Sequence, residues 1–232
     1  MVKGLIIVQA RMGSKRLPGK SLALMGGKPL LGHVIEALRS KFKEDIIIAT
    51  SSQSDSDAII EFAEKNEVEV FRGDENNVAS RFLEISRSKS VTHLGRVSGD
   101  SPFIDCETIK KAFHVAMESN SDLVSTTGSA FPSGFNIEVF SSKIFQKNYP
   151  NFSTPQHFEH VTKFFYENEN NFKICYLQCP VKDGRKYKFT VDTAEDKVRM
   201  DIFFSQLSRP PYTYSMEEKC EIYLELFGDK SC

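Results

Sequence analysis

The sequence contains no tryptophan, and no apolar run approaches the roughly 20 residues that a membrane-spanning helix needs. The opening MVKGLIIVQAR has only a short apolar segment that runs directly into a polar motif, so no secretory leader is read there. These readings predict a cytoplasmic chain that does not engage a membrane. A surplus of either charge is also lacking: 30 Lys and Arg stand against 31 Asp and Glu, a formal net charge of -1. That balance excludes the overall positive field that gathers nucleic acid, so any basic site must be local. Five cysteines, an odd number, form no disulfide framework. Cys175 and Cys179 lie close together, but Cys220 and Cys232 offer no matching pair, which reads against zinc and for reduced thiols.

Several site signatures are missing as well. Neither G-x-x-x-x-G-K-[ST] nor G-x-G-x-x-G occurs, so the two commonest phosphate loops are excluded. G-x-S-x-G and H-E-x-x-H are also missing, which removes the hydrolase elbow and the helical zinc pair. Phenylalanine is abundant, at 19 residues, and reads as core and dimer packing rather than as a platform for stacked bases.

What the chain does have is alternation. Leu5–Val8, Ile46–Ala49, Glu67–Phe71 and Thr92–Val97 read as strands, the first two as buried apolar runs. Between and after them, Pro29–Leu38, Ala58–Lys65, Val78–Ser86 and Thr108–Glu118 carry apolar residues at the spacing of one helix face. This rhythm predicts a mainly parallel sheet with helices on both faces. After residue 126 the pattern changes to a Gly/Ser/Pro-rich loop, a strand at Asn136–Phe140 and a helix around Phe158–Tyr166. Alternating Tyr187, Phe189 and Val191 then predict a strand leading into Asp192. The expected organisation is one domain. Residues 1–125 form a nucleotide-binding half, 126–186 an acceptor-side and dimerisation region, and 187–232 return to the core with C-terminal helices.

Ligands of such sheets bind beyond the carboxyl ends of the strands. Three segments share that rim: the loop after the first strand, the turn Ser98–Pro102 and the loop opening at Asp192. The first, in IVQARMGSKRLPGK, carries Arg11, Lys15, Arg16 and Lys20, with Gly13 and Gly19 allowing backbone to approach a ligand closely. Cations and backbone N–H groups around a turn make an anion cradle suited to phosphate; a solvated basic loop is the alternative. Asp100 in RVSGDSPFID and Asp192 in FTVDTAED stand where a magnesium ion bridging phosphates needs carboxylates. Taken singly, each has a plainer reading. Asp192 could open a helix with Glu195 completing a capping box, and Asp100 could be a turn residue before Pro102.

R-x-G-S-x-R-L-P-G-K, G-G-K-P-L-L, S-G-D-S-P-F-I-D and V-D-T-A-E-D together resemble the cytidylyltransferases of the spore-coat polysaccharide biosynthesis protein F type, relatives of the CMP-Kdo and CMP-sialic acid synthetases. The resemblance runs from about Ile7 to Arg199. It implies a Rossmann-like, GT-A-like three-layer α/β fold and transfer of CMP from CTP to a sugar or sugar acid, with magnesium and release of pyrophosphate. By position, Arg11, Ser14, Arg16 and Lys20 resemble the triphosphate-binding residues, and Asp100 and Asp192 the metal carboxylates. Gln9, Ala10 and the stretch 77–81, with Asn77 and Arg81, fall where the family holds base and ribose. Gly13, Ser98 and Gly99 join the nucleotide-facing set. Two positions depart from the pattern: Lys15 adds a cation, and Phe189 stands where a tryptophan is common.

On the acceptor side, His157, Glu159 and His160 of QHFEHVTKFF are expected on one helix, with His157 and His160 sharing a face. Glu159 and His160 are candidates for substrate contact or an assisting base, the alternative being a hydrogen-bonding helix at a subunit interface. Glu138 in FPSGFNIEVF could meet sugar hydroxyls or be a plain strand residue. The expected assembly is a homodimer, as in the resembled family. Two other functional classes stay open, a nucleotide-sugar-dependent glycosyltransferase and a non-catalytic nucleotide-binding protein, as does a non-sugar phosphate or phosphonate acceptor. A D-x-D metal motif would favour the glycosyltransferase, whereas the cation loop suits a triphosphate better.

Overall fold

The computed structural model describes residues 4–14, 16–42 and 46–228. Lys15 and Cys232 lie outside the described residues. The chain begins with strand β1 (Gly4–Gln9), followed after the cation loop by a small hairpin of β2 (Leu24–Met25) and β3 (Lys28–Pro29). Helix α1 (Leu30–Lys41), strand β4 (Ile46–Ser51), helix α2 (Asp57–Lys65) and strand β5 (Glu69–Gly73) come next. Helix α3 (Val78–Ser88), strand β6 (His93–Ser98), helix α4 (Cys106–Ser119) and strand β7 (Leu123–Ser125) complete the alternating part. Beyond it run β8 (Glu138–Ser141), α5 (Ser142–Asn148), α6 (Pro155–His160), α7 (Lys163–Glu167), β9 (Ile174–Tyr176), α8 (Ala194–Ser205) and α9 (Met216–Phe227).

Seven strands form one mixed sheet in the order β5-β4-β1-β6-β8-β7-β9. β1 lies parallel to both β4 and β6, while β8 runs antiparallel to β6 and β7. Successive side chains of a strand face opposite ways, so β1 supplies two cores at once. Ile6 and Val8 face a layer with α1, α4, α8 and α9, and Leu5 and Ile7 face one with α3, α5 and α7. This is the three-layer arrangement that the alternating pattern predicts. The chain leaves β1 for β4 and β5 on one side and returns to β6 on the other. The strand order therefore reverses around β1, and a crevice opens beyond Gln9 and Ser98, which are paired in register.

Three expectations for the second half need correction. The helix around 158–166 is two short helices, α6 and α7, separated by Val161 at φ 53° and ψ −59°. His160 O accepts the Thr162 N–H across that residue, a γ-turn that periodicity cannot reveal, because a β-branched residue is disfavoured there. Residues 187–191 are extended, with Tyr187, Phe189 and Val191 buried, but they form only an isolated bridge to Ser133 rather than a sheet strand. The phenylalanines between 131 and 176 are spent inside the chain. Phe131, Phe135, Phe140, Phe145, Phe152 and Phe165 are buried, and Phe158, Phe164 and Phe172 pack against them. They do not supply the apolar surface expected for a dimer contact. Cys106, Cys175, Cys179 and Cys220 are free thiols.

Candidate active site

After β1 the chain folds back on itself. Met12 O accepts from Ser14 N at 2.8 Å and Gly19 N at 2.9 Å, and Ser21 Oγ donates to Arg11 O at 3.0 Å. Gly19 sits at φ 72°, a left-handed conformation that glycine adopts without steric cost. The turn delivers Lys20 to the rim, where its ammonium donates to the Asp100 carboxylate and, at 3.0 Å, to Asp192 Oδ1. Arg16 Nη2 lies 3.2 Å from the same Asp192 oxygen. Ser98 Oγ fixes Asp100 through its other oxygen at 2.6 Å. Burial alone would lower the Lys20 pKa, but the charge and hydrogen bond of Asp100, then those of Asp192, outweigh it and hold the pKa above the usual lysine value.

The capping explanation for Asp192 fails by one residue. Thr193 is the N-cap of α8, accepting from Asp196 N, and the Asp196 side chain accepts from Thr193 N to close the capping box. The box partner at the third helical position is Asp196 rather than Glu195. Asp192 contributes its backbone N–H to Asp196 at 3.0 Å, which leaves its carboxylate for Lys20 and Arg16. Asp100 and Asp192 thus offer two hard anionic donors that already share a cation, which suits a divalent ion. Among the described residues no group of three or more His, Cys, Asp or Glu is gathered for a metal, so phosphate oxygens and water would complete the shell.

Two cavities meet here. One, of about 520 Å³, is lined by Gln9, Ala10, Arg11, Gly13, Ser14, Arg16, Lys20, Arg81, Ser98 and Asp100 among others. The second, of about 450 Å³, shares Gln9 and Ser98 with it and adds Arg96, Glu138, His160, Thr162, Lys163 and Tyr166. Burial, followed by the nearby Arg11 charge, lowers the Arg81 pKa, against the opposing charges of Glu159, Asp74 and Glu75. Arg11 Nη2 reaches Glu159 Oε1 at 2.8 Å and so links the cation loop to α6.

The second cavity rests on a buried charge network. Glu138 and Arg96 are directly opposite on β8 and β6, and Arg96 Nη1 donates to Glu138 Oε2 at 2.7 Å. Glu138 Oε1 accepts from Thr162 Oγ1 at 2.7 Å and Tyr166 Oη at 2.6 Å. Arg96 Nε donates to Gln9 Oε1 at 2.8 Å, and Nη1 to His160 O at 3.2 Å. A buried carboxylate persists when paired and hydrogen-bonded in this way. Burial and the Glu138 charge both drive the Tyr166 pKa far up, so its hydroxyl stays a donor.

Not every residue read from sequence faces a cavity. Asn77 caps α3, accepting from Ser80 N at 2.9 Å and donating to Tyr149 Oη at 2.8 Å. His157 is buried: Nδ1 accepts from Ser153 N, and Nε2 lies 2.6 Å from Glu167. It therefore braces α6 against α7 and does not share a ligand-facing surface with His160. Gly99 packs, since an added Cβ would lie 3.0 Å from Gln9 O and 3.1 Å from Ala10 Cβ. Arg81 lines the first cavity, yet its guanidinium is committed to Asp74 O at 2.8 Å and Glu75 O at 3.0 Å. Sequence reasoning missed Arg96, Thr162 and Tyr166; the available signal was a charge inside the strand HLGRVS. It also passed over one D-x-D triplet, Asp55-Ser56-Asp57. This stands at the start of α2, where Asp57 pairs with Arg72 at 2.9 Å.

Comparison with known proteins agrees with this geometry. The cytidylyltransferase family profile matches residues 5–224. MJ1063 of Methanocaldococcus jannaschii is 38% identical over 82% of this chain and 78% of its own. The spore coat polysaccharide biosynthesis protein SpsF of Bacillus subtilis is 28% identical over 89% of this chain and 88% of its own. The solved structure of a cytidylyltransferase from Leptospira borgpetersenii superposes with a TM-score of 0.91 at 28% identity, covering 97% of this chain and 95% of the other. A Rossmann-like fold, a cation loop facing paired carboxylates and a family match over nearly the full length converge, and the chain belongs to the cytidylyltransferase family.

Proposed function

We propose that the protein transfers CMP from CTP to a sugar or sugar-acid acceptor, releasing pyrophosphate, as a spore-coat protein F-type enzyme of surface polysaccharide synthesis. One observation carries this reading: two cavities meet at Gln9 and Ser98, and the first is lined by Lys20 and Asp100, with Lys20 bridging on to Asp192. The first cavity suits a triphosphate, with Arg11, Arg16 and Lys20 as counter-charges and Gln9, Ala10, Gly13, Ser14 and Ser98 along its wall. The second suits a polyhydroxyl acceptor, offering His160, Lys163, Arg96 and Thr162 around the Glu138 network.

In the reaction an acceptor oxygen attacks the α-phosphorus while the bond to the bridging oxygen of the β-phosphate breaks. Pyrophosphate leaves with that electron pair, and the acceptor proton passes to a base, for which His160 and Glu159 are the candidates. Arg11, Arg16 and Lys20 meet the charge that grows on the phosphate oxygens; no covalent nucleophile is required. Asp100 and Asp192 are the residues that would hold magnesium, which when bound supplies Lewis-acid stabilisation of that charge.

The chain is read as one nucleotidyltransferase domain whose region 126–186 forms the acceptor side. Its cytoplasmic placement rests on composition; among the described residues no helix is long and apolar enough to cross a membrane. A homodimer is proposed through the exposed apolar residues Leu24 on β2 and Val198 and Ile202 on α8, two elements that lie in contact. The test of function is pyrophosphate release from CTP, UTP, ATP and GTP with a panel of ulosonic acids, amino-sugar derivatives, sugar phosphates and phosphonates. The expected result is release with CTP and a sugar or sugar acid. Release that needs only a phosphonate, or no release with CTP, would overturn the acceptor class or the activity.

A further inference from the structure

The two carboxylates at the rim are already neutralised. Lys20 bridges Asp100 and Asp192, and Arg16 lies 3.2 Å from the same Asp192 oxygen that Lys20 contacts. Two negative charges thus face two positive ones, with Lys20 and Asp100 only 14% and 20% exposed. A divalent cation entering this arrangement alone would meet two cations at contact range, where like charges repel strongly in a partly buried setting. A triphosphate changes the count, because it offers Lys20 and Arg16 alternative anionic partners.

We propose that Lys20, assisted by Arg16, is a built-in counter-ion that closes the carboxylate pair to divalent metal until nucleotide draws it away. Metal and CTP then bind with strong positive coupling, and by linkage each raises the affinity of the other by the same factor. Carboxylates left bare in the free enzyme would bind metal without substrate; paired with Lys20, they are released only when phosphate is present. This rests on the reading of Asp100 and Asp192 as metal ligands and goes beyond it, since it assigns the order in which the site assembles.

The test is a titration of the nucleotide-free protein with Mn²⁺, followed by the electron paramagnetic resonance of the free ion. The parent and Lys20→Arg, which keeps the charge, are expected to bind weakly. Lys20→Met is expected to bind at least about tenfold more tightly, a gain that adding Asp100→Asn abolishes. Arg16 is 66% exposed, so Arg16→Met carries little risk to folding and is expected to shift affinity in the same direction by a smaller factor. Equal affinity in the parent and Lys20→Met, or an equal rise in Lys20→Met and Lys20→Arg, would overturn the proposal. A parallel calorimetric arm measures CTP binding by the parent with and without Mn²⁺. A rise that Asp100→Asn removes supports the metal reading independently. CTP affinity indifferent to Mn²⁺ would remove that reading and this inference together.

Discussion

Replacing Asp192 by asparagine is expected to leave thermal stability unchanged, because the start of α8 is capped by Thr193 and Asp196. Turnover at ordinary magnesium should fall steeply, since the ion's shell loses a formal charge, and extra magnesium should recover part of it. The contrasting variant, Thr193→Ala, removes the cap and should cost about 1 kcal/mol of stability while leaving the magnesium dependence of rate as in the parent. A magnesium curve for Asp192→Asn superimposable on the parent's would remove the carboxylate from the site. Lys20→Ala and Arg16→Ala should each lower turnover about 10²-fold at saturating CTP, the scale of losing one preorganised charge at a phosphoryl centre. These residues were legible in sequence because each lies within a short, dense motif. Arg96, Thr162 and Tyr166 were not, because what unites them is the antiparallel register that sets Arg96 opposite Glu138.

The N-terminus of α8 depends on one buried carboxylate. Burial would raise the Asp196 pKa, but the Lys188 hydrogen bond, the Asp192 N–H and the Lys188 charge, then Arg199, outweigh it and bring the value down to about 2. A carboxyl depressed in the folded state stabilises above its unfolded pKa and loses that contribution as pH falls through the folded one. The stability difference between the parent and Asp196→Asn should therefore be full at neutral pH and shrink from about pH 4 to about pH 2. Denaturant melts of both proteins across that range check it; a difference independent of pH would contradict the assignment. At this scale the sequence located the helices that alternate with the parallel strands and the buried runs of β1 and β4. It missed β7 and β9, three residues each, which are too short to show a period. The break at Val161 was hidden because Phe158, Val161, Phe164 and Phe165 keep helical spacing across it.

The three-layer fold places Arg11, Arg16, Lys20 and Asp100 on the loops that leave β1 and β6, and the loop before α8 brings Asp192 to them. Alternation alone predicted that architecture; the antiparallel insertion of β8 did not follow from it, since pairing depends on contacts distant in sequence. Assembly is a second property of the whole molecule. If the dimer forms through Leu24, Val198 and Ile202, light scattering at micromolar concentration should give twice the chain mass, and Ile202→Glu should return it to the monomer value. A monomeric parent would refute the assembly without touching the chemistry. The central claim is that CTP lies across the crevice beyond Gln9 and Ser98, its phosphates against the loop 11–20 and its metal on Asp100 and Asp192. A crystal structure with CTP and Mn²⁺, read at the manganese absorption edge, tests that claim most directly. The account predicts an anomalous peak bridging the two carboxylates and the triphosphate, Lys20 turned toward phosphate, and the α-phosphorus facing the cavity of Arg96 and His160. A peak elsewhere, or a triphosphate bound away from Lys20, would contradict it.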